Sequence, residues 1–121
     1  MEDKKDNCKI KRWDLLKGHL NNLKPKDARD FLIAHSDCTI IDCRRPEETE
    51  ILRFPNAVNI DYLAYDFWQK MEQLPSDKTY FVYCNSCRRS TRTCTLMQNG
   101  GFTSVYNLDG GLKAWVEILG D

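Results

Sequence analysis

Charge of one sign is missing from the chain as a whole: 18 Lys and Arg balance 18 Asp and Glu, for a formal net charge of zero. A neutral protein has no global field to attract a polyanion, so neither nucleic acid nor a membrane surface is expected as a partner. Long apolar runs are also lacking, and no stretch suffices to span a bilayer. The first residues, MEDKKDNCKIKR, are charged and hold no apolar segment of the kind that marks a secretory signal. These absences predict a cytoplasmic protein. There is no internal repeat, low-complexity tract or obvious linker, so 121 residues are expected to form one domain with a modest core.

Cysteine, by contrast, is plentiful. Six in a secreted chain of this length would suggest three disulfides, but without a signal segment reduced thiols are expected. Cys38, Cys43 and Cys94 fall within or beside predicted elements and read as small buried hydrophobes. Cys8 lies in the polar leader with no evident role. Cys84 stands apart, in the run YFVYCNSCRRS. Tyr80 to Tyr83 read as a buried strand, and the chain then presents Cys84, two small polar residues, Cys87 and a pair of arginines. No acid lies between Cys84 and Gln98, whereas Arg88, Arg89 and Arg92 do. A thiol beside fixed positive charge ionises more easily, and the thiolate is the nucleophile. Ser90 to Asn99 can form a helix closed by Gly100 and Gly101. Its N-terminus would aim backbone N–H groups at the sulfur, an anion cradle.

Along the rest of the chain, residues 1–17 read as an extension; Ile10, Trp13, Leu16 and Leu20 have a rough helical spacing that would suit a short docking helix. A helix is predicted from Lys24-Pro25 through about His35, with Ala28, Phe31, Leu32 and Ala34 on its apolar face. Thr39–Cys43 is a short apolar strand, and Arg44–Glu50 a charged loop or helical turn. Phe54–Ile60 turns into another short strand. Asp61–Leu74 reads as an aromatic-rich helix whose Tyr65, Phe67 and Trp68 are expected to pack inside. Thr103–Leu108 is a last strand, and Asp109-Gly110-Gly111 turns into a final helix carrying Leu112, Trp115, Val116 and Leu119. Short apolar strands alternating with helices predict an α/β fold with a mainly parallel sheet covered on both faces. Ligands in such sheets sit outside the carboxyl ends of the strands. Cys84 and the Asp42-Cys43-Arg44 segment both fall at such ends.

Four segments in order resemble the rhodanese-like domain family of sulfurtransferases, over residues 18–121. TIIDCRRPEE resembles the family's strand followed by Asp-x-Arg-x-Pro-Glu-Glu, and FPNAVNI its Ile-Pro-Gly-Ala-x-Asn-Ile segment. LPSDKTYFVYCNSCRRS resembles the approach to the active cysteine and its loop, and GFTSVYNLDGGLKAW the closing strand and Gly-Gly-x-x-x-Trp turn. The resemblance implies a five-stranded parallel sheet flanked by helices. It also implies a cysteine that carries sulfane sulfur as a persulfide. From Cys84 to Arg89 the loop reads Cys-x4-Arg, like the family's sulfurtransferases. Phosphatases of the fold resemble Cys-x5-Arg, since a phosphate needs a wider ring of donors than one sulfur; here that position is Ser90. The chain departs from the family at Cys87, where glycine is frequent because a tight cradle favours positive φ, at Arg53, where histidine is common, and at Asn56, where glycine is usual.

Cys84 is therefore the expected nucleophile and persulfide carrier. Asn85, Ser86 and Ser90 are expected to hold the loop through N–H groups and hydroxyls. Arg88 and Arg89 are expected to acidify the thiol and attract an anionic donor such as thiosulfate or polysulfide, Arg89 facing inward and Arg88 toward the donor. A thiol, a protein cysteine or cyanide would accept the sulfur. Cys87 completes Cys84-x-x-Cys87 and offers a second chemistry, a resolving thiol that releases sulfide and leaves a disulfide. Asp42 and Arg44 either support the active loop or simply fix the segment after their own strand. His19 and His35 have no partner pattern. A zinc site through Cys84, Cys87 and Cys94 lacks a second Cys-x2-Cys or His pair, so neither metal nor cofactor is expected. The rival readings are a phosphatase or arsenate-reductase-like enzyme using the same thiolate, and a binding module that kept the fold without the chemistry.

Overall fold

Five parallel strands form in the computed structural model, which describes Leu15 and residues 18–120. In chain order these are β1 (Asn21–Leu23), β2 (Thr39–Asp42), β3 (Val58–Asn59), β4 (Thr79–Tyr83) and β5 (Ser104–Leu108), and the apolar runs are those of β2, β4 and β5. The helices are α1 (Pro25–Ala34), α2 (Pro46–Thr49), α3 (Phe67–Glu72), α4 (Arg88–Asn99) and α5 (Gly111–Leu119). The sheet order is β1-β5-β4-β2-β3, so β4, the strand that delivers Cys84, is central. Its residues Tyr80 to Tyr83 are all buried, as a strand covered on both faces requires. The predicted helical docking segment at Ile10, Trp13 and Leu16, and Cys8, lie outside the described residues.

Strand alternation sorts the core into two layers. Ile41, Cys43, Tyr80, Val82 and Cys84 join Phe67, Met71, Cys94 and Met97 on the face covered by α3 and α4. Phe81, Tyr83 and Leu108 join Ala28, Phe54 and Leu112 on the opposite face, with Phe31, Leu32 and Trp115 packed against them from α1 and α5. Ala34, expected on the α1 core face, is exposed.

Helix α4 begins at Arg88 rather than the predicted Ser90, and two further elements differ from expectation. β1 was not foreseen: Asn-Asn-Leu is short and has little strand propensity. It is held by register with Tyr106 to Leu108 of β5 and by the Asn21 side-chain amide donating to the Val105 carbonyl at 3.1 Å. The aromatic helix is shorter than Asp61–Leu74. Asp61 Oδ1 accepts the Leu63 N–H at 2.8 Å, a local turn that competes with helix, and α3 starts only at Phe67. Tyr65 falls in that turn and is fully exposed rather than packed inside. Phe67 is buried as expected, with Trp68 against the core.

The end of α4 follows its two glycines closely. Gly101 takes φ +98°, the Gly101 N–H donates to the Gln98 carbonyl at 3.1 Å, and the Phe102 N–H to the Met97 carbonyl at 3.0 Å. This Schellman closure also brings Phe102 and Met97 into the same core cluster. Among the described residues no helix is long and apolar enough to cross a membrane.

Candidate active site

Cys84 follows β4 directly, and its loop runs through Asn85, Ser86 and Cys87 into α4. Asn85 and Ser86 are exposed, while Cys84 and Cys87 are buried. The turn that reverses the chain into the helix demands a left-handed residue, and Cys87 supplies it at φ +73°, where glycine would meet no Cβ penalty. Asn56, also standing where the resembled family has glycine, adopts φ +63°. Asparagine tolerates that region better than most residues.

The reversal puts Ser90, in the first turn of α4, against the sulfur. The Ser90 N–H donates to Cys84 Sγ at 3.3 Å. The Cys84 thiol lies 3.4 Å from Ser90 Oγ, whose own hydroxyl donates to the Cys87 carbonyl at 3.2 Å. When the sulfur ionises, that hydroxyl can turn to donate to it. The cradle draws Cys84 down from an ordinary thiol pKa to about 5. The buried Cys43 thiol is the largest cause; burial opposes it, and the Ser90 hydroxyl and the Ser90 and Ser86 N–H groups add to the lowering. Cys43 and Cys94 move the other way: burial raises both thiols well above the ordinary value, and a charged Cys84 reinforces the effect. One thiolate with protonated neighbours is therefore the favoured state.

The arginines expected to acidify Cys84 are placed differently. Arg89 Nη1 and Nη2 donate to the Glu48 carboxylate at 2.7 and 3.0 Å, a fork-to-fork pair. Glu48 is held down at about pKa 2, chiefly by this bond. Arg89 is near enough to feel the Cys84 charge, but its own charge is matched by Glu48. Acidification of Cys84 thus comes from short-range donors rather than from net positive charge. Arg88 is exposed at the start of α4. Glu48 was legible only as the last residue of the TIIDCRRPEE segment, and nothing local announced its bond to Arg89, 41 residues away.

Asp42 and Arg44 do not reach the sulfur. They form a buried pair, with Arg44 Nη2 donating to Asp42 Oδ2 at 2.8 Å. The Tyr83 hydroxyl donates to Asp42 Oδ2 at 2.7 Å and accepts the Phe54 N–H at 3.1 Å. Arg44 Nη2 also donates to the Leu52 carbonyl. The pair fixes the segment around Leu52 to Phe54, the simpler of the two roles expected for it.

A contact with no counterpart in the sequence reading closes the site from below. The Leu112 N–H donates to the Cys84 carbonyl at 2.8 Å and the Lys113 N–H to the Asn85 carbonyl at 3.0 Å. The first turn of α5 thereby clamps the exit of β4. Gly111 makes this approach possible: a Cβ there would lie 2.5 Å from the Asn85 carbonyl oxygen and 2.7 Å from that of Cys84. Its φ is +70°. Among the described residues, no group of three or more His, Cys, Asp or Glu side chains is placed to hold a metal ion.

The chain is 38% identical over 87 residues to YtwF of Bacillus subtilis, which carries a sulfurtransferase designation; the match covers 72% of this chain and 82% of YtwF. It is 28% identical over 99 residues to a Mycobacterium tuberculosis protein named probable adenylyltransferase/sulfurtransferase MoeZ, covering 82% of this chain but only 25% of that protein. The chain thus spans about a quarter of MoeZ. Among solved structures, the polysulfide-sulfur transferase homodimer of Wolinella succinogenes superimposes with a TM-score of 0.78 at 25% identity, covering 97% of this chain and 88% of that one. The pattern of the rhodanese-like domain matches residues 24–118, and the chain belongs to the rhodanese-like domain family.

Proposed function

We propose that the protein is a sulfurtransferase in which Cys84 carries sulfane sulfur as a persulfide. The observation that carries this reading is the cradled Cys84 sulfur, acidified to about pKa 5 and facing donors from Ser90. At neutral pH it is a thiolate without help from a general base. With thiosulfate as donor, the Cys84 thiolate attacks the outer sulfur. The S–S bond of thiosulfate breaks, sulfite leaves with the electron pair, and Cys84 persulfide forms. The terminal sulfur is an anion that the N–H groups at the start of α4 can stabilise. A thiol, a protein cysteine or cyanide then attacks that sulfur and regenerates the thiolate. Arg88, exposed beside the loop, draws the anionic donor in. Asn85, Ser86, Cys87 and Ser90 shape the cradle, while Asp42 with Arg44 fixes the neighbouring segment around Leu52 to Phe54. The loop length, Cys-x4-Arg, and the sulfurtransferase names of relatives support the same reading.

Peptide mass spectrometry after incubation with thiosulfate or polysulfide tests it, with Cys84→Ser alongside. One added sulfur on the Cys84 peptide, absent from the variant, is expected. A Cys84–Cys87 disulfide in its place would favour the dithiol chemistry. Turnover of a phosphate ester would favour the phosphatase reading, and no modification with either donor would favour a binding module.

A further inference from the structure

We infer that Cys43 is a positioning residue for Cys84: its buried thiol is a switchable hydrogen-bond donor that turns toward the Cys84 sulfur when that sulfur carries negative charge. The inference rests on Cys84 being the nucleophile of the site.

Asp42 of β2 is in register with Tyr83 of β4. The next residue on each strand is a cysteine, Cys43 and Cys84, and the Cys43 N–H continues the ladder by donating to the Tyr83 carbonyl at 3.1 Å. In-step neighbours on parallel strands present side chains to the same face, and both thiols lie in the core layer under α4. Cys43 is 0% exposed and Cys84 1%, so water does not compete for the sulfur on that side. The Cys43 backbone is pinned from both directions, since its carbonyl accepts the Tyr62 N–H at 3.2 Å. The torsion of the S–H bond is left free. The thiol at present donates to the Tyr83 carbonyl at 3.2 Å. That carbonyl also accepts the Cys43 N–H, so turning the S–H away leaves it satisfied. A charged sulfur next door is the stronger acceptor, and the rotation strands no buried polar group.

The other ionisable groups facing Cys84 do not replace this donor. Cys94 from α4 stays protonated, and the bond found for its thiol is a long 4.0 Å contact to the Tyr106 carbonyl. Arg89 is engaged by Glu48, which is ionised. Ser90 supplies donors from the opposite side of the sulfur's surroundings, the helix terminus. Cys43 is therefore the donor from the sheet side, and it serves the thiolate without being consumed.

The isosteric pair Cys43→Val and Cys43→Thr tests this, because the two side chains share a shape and differ in one donor. The readout is the pH profile of alkylation at Cys84 by iodoacetamide, followed on the Cys84 peptide. The valine variant should move the inflection upward by about one pH unit or more, the loss of a hydrogen bond to a charged group, and threonine should restore most of it. Valine and wild-type profiles that superimpose would overturn the inference. The smaller pair Cys43→Ala and Cys43→Ser repeats the test if the branched residues disturb packing. In the wild type, the S–H stretching band of a buried thiol should persist above the Cys84 inflection and shift to lower frequency across it; a band that does not move would also overturn the inference. Alkylation reports the thiolate without any sulfur donor. A protein that shows the Cys43 dependence yet never gains sulfur would leave this inference standing and remove the sulfurtransferase reading instead.

Discussion

Cys87 shows how one backbone angle shapes the site. At φ +73° an L-residue pays roughly 1–2 kcal/mol relative to glycine, yet its carbonyl must point back to receive the Ser90 hydroxyl and the Thr91 N–H. Cys87→Gly relieves the strain but loosens the unfolded chain by about 0.5–1 kcal/mol. Its net effect on stability is expected to stay within about 1 kcal/mol by urea denaturation. Cys87→Val places a β-branched side chain in the same region and is expected to cost about 2 kcal/mol or more. Cys84 was legible in the sequence because the nucleophile, its strand and its helix are contiguous. Cys43 was legible as a buried residue at a second strand end, but not as a neighbour of Cys84. Its place beside Cys84 comes from pairing strands 41 residues apart, and no local pattern announces that. The arginines illustrate the converse: a local run of positive charge promised acidification, and a distant carboxylate, Glu48, takes up the inner one.

Helices α2 and α5 hold the loop between them, each by a contact that can be broken singly. The α5 clamp requires Gly111. Gly111→Ala would drive a Cβ to 2.5 Å from the Asn85 carbonyl at positive φ. The variant is expected to lose about 2–4 kcal/mol in denaturant unfolding, the range of strong single-site effects, and to load sulfur poorly because β4 no longer exits in place. The α2 contact is the Arg89–Glu48 pair, about a quarter to a third exposed. Its contribution is expected to be about 0.5–1 kcal/mol. Glu48 is depressed from 4.5 to about 2 in the fold, so the pair stabilises fully above the unfolded carboxylate's pKa and is lost as pH falls through about 2. Wild type and Glu48→Gln should therefore differ most near neutral pH, and their unfolding free energies should converge between pH 5 and 2. A difference that stays constant over that range would mean that the carboxylate charge is not what matters. Helix boundaries were readable where caps were explicit, as at Gly100 and Gly101. They failed at Asp61, whose side chain diverts the chain into a turn.

For the whole molecule, alternation of apolar strands with helices predicted a covered parallel sheet with its site at the strand carboxyl ends, and both layers of core are found. The first strand escaped because Asn21–Leu23 gains its structure from β5 rather than from its own residues. The architecture gathers the ends of β2 and β4 and the starts of α4 and α5 around one sulfur. Its consequence is a thiolate favoured at neutral pH while the thiols of Cys43 and Cys94, raised by burial, remain protonated. The depressed pKa also fixes the sign of the pH dependence, since the reactive form is the deprotonated one and accumulates as pH rises. The most direct test is the initial rate of sulfur gain on the Cys84 peptide from thiosulfate, followed by mass spectrometry from pH 4 to 9. The expected rate rises with half-maximum near pH 5, set by Cys84, and is flat through neutrality. A rate that rises only near pH 8–9, the range of an ordinary thiol, or no sulfur gained at any pH, would contradict the account.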